Sequence, residues 1–150
     1  MVEKAFIDWA YVDNWVNKLA ELIKETEIEY NYIVALGRGG LIPGAMLSYK
    51  LGIKNLQNLG INTRQEDGKY LETVVYQRPA ISGNVLVVDD INDSGKTFEA
   101  VDSLITKEYS IDKLTYCSIV RRYSSTFTKD TIQAVDTSID DWFVFLGINN

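Results

Sequence analysis

The chain of 150 residues contains no histidine and a single cysteine. The first absence removes an imidazole general base, Ser-His-Asp and Cys-His nucleophilic machinery, and His-ligated zinc. The second excludes an intrachain disulfide and every multi-cysteine metal knuckle, so Cys117 reads as a buried small hydrophobe. Positive charge is also short. Fifteen Lys and Arg against 21 Asp and Glu leave a formal charge of −6, which argues against nucleic acid as a partner while allowing one small anion site. No apolar run approaches the roughly twenty residues of a membrane span. No basic-then-apolar leader opens the chain. With no disulfide pair, a cytoplasmic address is expected. Chemistry must therefore run on carboxylates, hydroxyls, Lys and Arg, backbone amides or an oxygen-bound metal.

What is present describes one ordinary globular domain: 46% of residues are hydrophobic and 24% charged, with no repeat, linker or low-complexity tract. From Asp8 to about Glu25, apolar residues at Val12, Trp15, Val16, Leu19, Leu22 and Ile23 follow the 3.6-residue period of an amphipathic helix. Asp8 is available as its N-cap, and Trp9 and Trp15 read as core packing. The apolar run Tyr32–Leu36, the turn Gly37-Arg38-Gly39-Gly40 and a helical stretch from Leu41 to Leu51 have the pattern of a buried parallel strand feeding a crossover. Residues 53–62 and 70–77 read as a strand pair linked by the polar stretch from Thr63 to Lys69. Val85–Val88 and Leu114–Val120 read as further buried strands, with a helix ending near Glu108 between them. The sum is an α/β domain with a mainly parallel sheet.

The turn after Val88 offers Asp89 and Asp90 at the carboxyl end of a central strand, where open α/β sheets place ligands. Ser94, Gly95, Thr97 and the first amides of a helix follow, a set that can cradle a phosphate. The two carboxylates beside it could accept from ribose hydroxyls or hold magnesium through oxygen. An isolated Asp-Asp pair would read as an acidic helix cap; apolar strand, carboxylates, hydroxyls and glycine in this order read as a site. The nucleoside triphosphatase loop G-x-x-x-x-G-K-S/T is excluded, because its first glycine falls on Asp90. A dinucleotide fingerprint starting at Gly37 fails at its third glycine, which is Ile42.

The segment Val85–Thr97 resembles the phosphoribosyl pyrophosphate (PRPP) signature of type I phosphoribosyltransferases: four apolar residues, two acids, an apolar residue, any residue, Asp or Thr, Thr or Ser, Gly, any residue, Thr. The segment Leu36–Ala45 is similar to the pyrophosphate-binding loop of the small bacterial xanthine-guanine enzymes, and the resemblance extends from about Ala5 to Phe145. It implies a single domain over residues 1–150, with a sheet flanked by helices, a mobile loop near 62–84 and a small hood near 121–150. The implied activity is magnesium-dependent transfer of phosphoribose from PRPP to a nucleobase, a 6-oxopurine first, with release of pyrophosphate. A pyrimidine or another base as acceptor and a non-catalytic PRPP sensor are the alternatives. Asp89 and Asp90 would hold the ribose hydroxyls and Mg2+, and Asp93 would contact purine N7 as general base. Asp93, Ser94, Gly95, Lys96 and Thr97 would take the 5′-phosphate. Arg38, Gly39 and Gly40 would take pyrophosphate, with a cis peptide expected before Arg38 or Gly39. The resemblance places Arg121 opposite the purine O6, with Arg122 adjacent, and Ile139 and Trp142 in the base pocket. Trp142, Phe143 or Tyr123 would stack on the base. Relatives assemble as dimers or tetramers, so a homo-oligomer is expected.

Overall fold

The computed structural model describes residues 4–138 and 142–145. Strand β1 (Lys4–Ile7) leads into helix α1 (Trp9–Glu25), then β2 (Tyr32–Leu36) and α2 (Leu41–Leu51). A hairpin follows, β3 (Leu56–Glu66) and β4 (Lys69–Gln77). The second half runs β5 (Gly83–Asn92), α3 (Lys96–Glu108), β6 (Ile111–Arg122), β7 (Thr131–Thr137) and β8 (Trp142–Phe145). Six strands form the main sheet in the order β4-β3-β2-β5-β6-β7, parallel throughout except for the β3–β4 hairpin. β1 and β8 pair separately, in parallel.

Local chemistry explains the helices. Asp8 caps α1, its carboxylate accepting from the Tyr11 amide at 3.1 Å, which satisfies one of the donors left over at a helix start. The face carrying Val12, Val16, Leu19, Ala20 and Ile23 is buried. Only Trp15 of the two helix tryptophans packs against the core. Trp9, expected there too, is 58% exposed at the first position of α1, one turn ahead of Val12, the first buried residue of the helix. Pro43 lies within the first turn of α2, where a missing amide proton is harmless. The same helix ends on Gly52 in the left-handed conformation.

Alternation along the central strands divides the core in two. Ile33, Leu86, Val88 and Cys117 join the residues of α1 and Leu47 of α2 on one face. Val34, Leu36, Val85, Val87 and Tyr116 join Phe98, Val101 and Ile105 of α3 on the other. Fully buried strands of a parallel sheet are apolar on both faces, which is why these segments read as continuous hydrophobic runs. Cys117 is buried, as expected, and burial pushes its thiol up, away from the reactive thiolate.

The crossover from β2 to β3 uses α2 on the α1 face, and the crossover from β5 to β6 uses α3 on the opposite face. Neighbouring strands β2 and β5 therefore send their chains to opposite sides, leaving a crevice at their carboxyl ends. The segment from Thr63 to Lys69, expected as a linking loop, is mostly ladder. Thr63 pairs with Thr73, Arg64 with Glu72 and Glu66 with Lys69 around the two-residue turn Asp67-Gly68. Both turn residues have positive φ, 52° and 74°, the requirement of a tight hairpin turn that Asp-Gly meets. Of residues 62–84, expected as a mobile loop, β3 and β4 together take up most.

Candidate active site

Two loops meet at the crevice between β2 and β5. The first, Gly37–Gly40, leaves β2 through Gly37 at φ 53°. The Gly37 amide donates to Leu59 O at 2.9 Å, and Asn58 Nδ2 donates to both Ala35 O and Gly37 O, at 3.0 and 2.9 Å. Asn58 is a brace that no motif announces. Gly39 passes directly over Asp90: a Cβ built on it would lie 2.8 Å from Asp90 Oδ1. That approach brings the glycine loop and the acidic pair into one site. All peptide bonds among the described residues are trans, so the cis bond expected before Arg38 or Gly39 is withdrawn. The loop turns instead on the freedom of Gly37 and on the steric access that Gly39 and Gly40 provide.

The second loop leaves β5. Asp89 Oδ1 accepts the Asp90 amide and Asp90 Oδ1 accepts the Ile91 amide, each at 2.8 Å. Burial first, then the adjacent Asp90 charge, pushes the Asp89 carboxyl well above the ordinary value of 3.8. The folded chain thus holds this proton more tightly than the unfolded chain does. Its contribution to ligand-free stability falls as pH rises from 3.8 through the raised folded value. Asp89→Asn should therefore raise the melting midpoint at neutral pH. Thermal melts of the two chains would check this; a lower midpoint for the variant would contradict the reading of Asp89.

Beyond the acids, Ser94 and Gly95 lead into α3. Gly95 sits at φ 92° and, as the N-cap, brings no side chain; apart from the Lys96 amide, which Ser94 takes, the amides at the helix start are presented to a ligand. Ser94 Oγ accepts the Lys96 amide at 3.3 Å, and the Thr97 hydroxyl lies 3.2 Å from the Thr63 hydroxyl of the hairpin. A pocket of about 120 Å3 results, lined by Asp89, Asp93, Ser94, Gly95, Lys96 and Thr97 below and by Thr63, Gln65 and Tyr70 of the hairpin above. Lys96 is partly engaged by Glu99 at 3.7 Å. Arg64 is engaged by Glu72 at 2.5 Å.

The arginines at the end of β6 part ways. Arg121 Nε donates to Asp136 of β7 at 2.7 Å. Arg122, 8% exposed, donates from Nε to Asp93 Oδ1 at 2.7 Å. Adjacent residues of a strand face opposite sides, so only one of the pair can meet Asp93; it is Arg122. Ile139 lies outside the described residues, and of Trp142 only the backbone, at the start of β8, is among them. Tyr123, the first residue past β6, is 65% exposed. Among the described residues no cluster of three Asp, Glu, Cys or His side chains could cage a metal unaided, and no helix is long and apolar enough to cross a membrane.

A crevice at the switch point, a glycine loop against paired acids and the start of α3 bring together groups that can receive a phosphorylated ligand. The sequence model of the phosphoribosyl transferase domain matches residues 9–147. The chain belongs to that family: it is a type I phosphoribosyltransferase, a pentosyltransferase enzyme. Its fold is similar to a purine phosphoribosyltransferase from Pyrococcus horikoshii, with TM-score 0.82 and 24% identity over 99% of this chain and 96% of that one. The xanthine-guanine-hypoxanthine phosphoribosyltransferase of Helicobacter pylori gives TM-score 0.81 at 18% identity, over 95% and 92% of the two chains. A hypothetical protein from Neisseria gonorrhoeae with bound ppGpp gives 0.81 at 23% identity, over 97% and 89%.

Proposed function

We propose that the protein transfers the 5-phosphoribosyl group of PRPP to a 6-oxopurine. The single observation that carries the choice of base is the Asp93–Arg122 pair. A carboxylate acceptor and a guanidinium donor lie 2.7 Å apart at one edge of the crevice. A 6-oxopurine protonated at N7 offers the complementary edge, an N–H donor beside the O6 acceptor. Adenine would bring its exocyclic amino donors toward the arginine, a mismatch that leaves polar groups unpaired. Solved neighbours whose own substrates are purines support the same class.

In this reading Asp89 and Asp90 hold the ribose hydroxyls, the amides and hydroxyls from Asp93 to Thr97 hold the 5′-phosphate, and Arg38 with Gly39 and Gly40 receives the pyrophosphate. Purine N9 forms a bond to C1′ as the bond from C1′ to the pyrophosphate oxygen breaks, and the leaving group departs with the electron pair. Asp93 accepts the N7 proton as positive charge develops on the base. The remainder is positioning and neutralisation of the leaving group, which needs no histidine.

Mg2+ fits this site as a companion of the substrate. The hard, adjacent carboxylates of Asp89 and Asp90 would hold it, with substrate oxygens and water as the further ligands this cation usually takes. Bound there, it would neutralise phosphate charge and relieve the unfavourable closeness of the two acids. Thr97→Val should weaken PRPP binding about tenfold through loss of a charge-assisted hydrogen bond, measured by calorimetry; unchanged affinity would remove Thr97 from the cradle.

The acceptor class is tested by a spectrophotometric screen of hypoxanthine, guanine, xanthine, adenine, uracil and orotate with PRPP and Mg2+. Turnover of the three 6-oxopurines well above adenine is expected. Preference for adenine or a pyrimidine would overturn the base assignment. Binding of PRPP with turnover of no base would favour a sensor.

A further inference from the structure

Resting on the reading of residues 93–97 as the 5′-phosphate cradle, we propose that Asn92, Ser125 and Thr126 form a clip that fixes the cradle from behind and acts as a set of positioning residues for PRPP. Asn92 occupies the position that the PRPP signature leaves free, yet its amide is buried, 3% exposed. A buried amide persists where both its ends are bonded. Here Asn92 Oδ1 accepts from Ser125 Oγ at 2.7 Å and Asn92 Nδ2 donates to Phe127 O at 3.1 Å. Ser125, 8% exposed, also accepts the Phe127 amide at 3.3 Å. The loop after β6 is thereby tied to the last residue of β5, immediately before the cradle.

The tie reaches the cradle itself. Ser94 O accepts from the Thr126 amide at 3.0 Å and from the Thr126 hydroxyl at 3.2 Å. In a trans peptide the carbonyl and the following amide point in opposite directions. Turning Ser94 O toward Thr126 therefore turns the Gly95 N–H away from it, to the ligand side of the loop. Gly95 holds φ 92°, and a Cβ there would lie 2.6 Å from the Phe127 amide nitrogen and 2.9 Å from Ser125 Oγ. The cradle thus rests on the clip with no space between them. An amide aimed before the substrate arrives needs no reorganisation when the phosphate binds. The clip meets the Asp93–Arg122 pair through backbone, the Ser125 amide donating to Arg122 O at 2.9 Å, a bond that Ser125→Ala keeps, so loss of the Ser125 hydroxyl should fall on PRPP and spare the base.

The test is steady-state kinetics on the full chain with the acceptor base that it turns over, with the wild-type affinity for PRPP measured first by calorimetry. Ser125→Ala should raise KM for PRPP about tenfold and leave KM for the base within about twofold, tenfold being the effect of ~1.4 kcal/mol. Equal rises in both KM values, or no rise in either, would overturn the clip, since a merely structural role does not separate the substrates. If Ser125→Ala fails to fold, the exposed Thr126 decides. Thr126→Val should raise KM for PRPP about threefold, the effect of losing one of two bonds to Ser94 O, and Thr126→Ser should restore it. Identical behaviour of those two variants would overturn the proposal. A wild-type chain that binds no PRPP would overturn the functional reading and the clip with it, whereas normal wild-type binding with an unresponsive Ser125→Ala overturns the clip alone.

Discussion

Asp93→Asn is expected to lower turnover by roughly 10²–10⁴-fold, the usual contribution of a positioned general base, while leaving the dissociation constant of PRPP nearly unchanged. The substitution is close to isosteric. Asn Oδ1 can still accept the Arg122 Nε–H that Asp93 Oδ1 accepts at 2.7 Å, so the geometry at the end of β5 should persist. What disappears is the capacity to take a proton, together with the charge opposite a buried guanidinium. Asp93 itself is well exposed, its side chain at 59% against 10% for Arg122, so solvent moderates the loss of stability. Stopped-flow or steady-state turnover, read beside calorimetric PRPP binding, separates the two effects. Unchanged turnover would remove Asp93 from the chemistry; lost PRPP binding would make it part of the cradle alone.

The second large effect is structural. Gly40→Ala should destabilise the fold by roughly 3 kcal/mol and abolish tight PRPP binding. A Cβ at this position would run into the Val88 carbonyl oxygen of β5 and come within 2.7 Å of the Leu36 amide nitrogen of β2. Neither is the tip of a flexible side chain. Both belong to neighbouring central strands in register, Ala35 opposite Val88, so relief requires the two strands to part beneath the loop. For a domain of this size the expected drop in melting midpoint is about 10 °C. Gly52→Ala is the control: its φ of 69° carries a conformational penalty, but nothing lies within 4 Å of the added methyl, so about 1 kcal/mol is expected. Equal midpoints for the two variants would contradict the close approach at Gly40.

How far the sequence carried depends on the range of the interactions involved. Val85–Val88 and Tyr32–Leu36 were legible because strands buried on both faces need apolar side chains at every position. The extent of α1 was legible from Val12, Val16 and Leu19 and from Asp8 as its cap. The segment from Asp89 to Thr97 was legible as a candidate site since its residue types follow in one unbroken segment. Three features were not. The pairing of β1 with β8 joins segments more than a hundred residues apart, such as Lys4 with Trp142, and nothing local marks it. The choice between Arg121 and Arg122 depends on which face of β6 each occupies, a matter of strand phase that a shift of one residue reverses. The Asn92–Ser125 bond joins a free position of the motif to a loop with no motif at all. The hairpin was visible in outline, but the polar character of Thr63–Lys69 concealed a ladder whose exposed faces have no need of apolar residues.

Conversion itself is the most direct measurement. Phosphorus NMR should follow PRPP, Mg2+ and guanine or hypoxanthine in the presence of the purified protein. Pyrophosphate and a nucleoside 5′-monophosphate should accumulate in equal amounts, with PRPP falling in step and Asp93→Asn nearly silent. PRPP that binds but persists unchanged with every nucleobase offered would contradict phosphoribosyl transfer by this site.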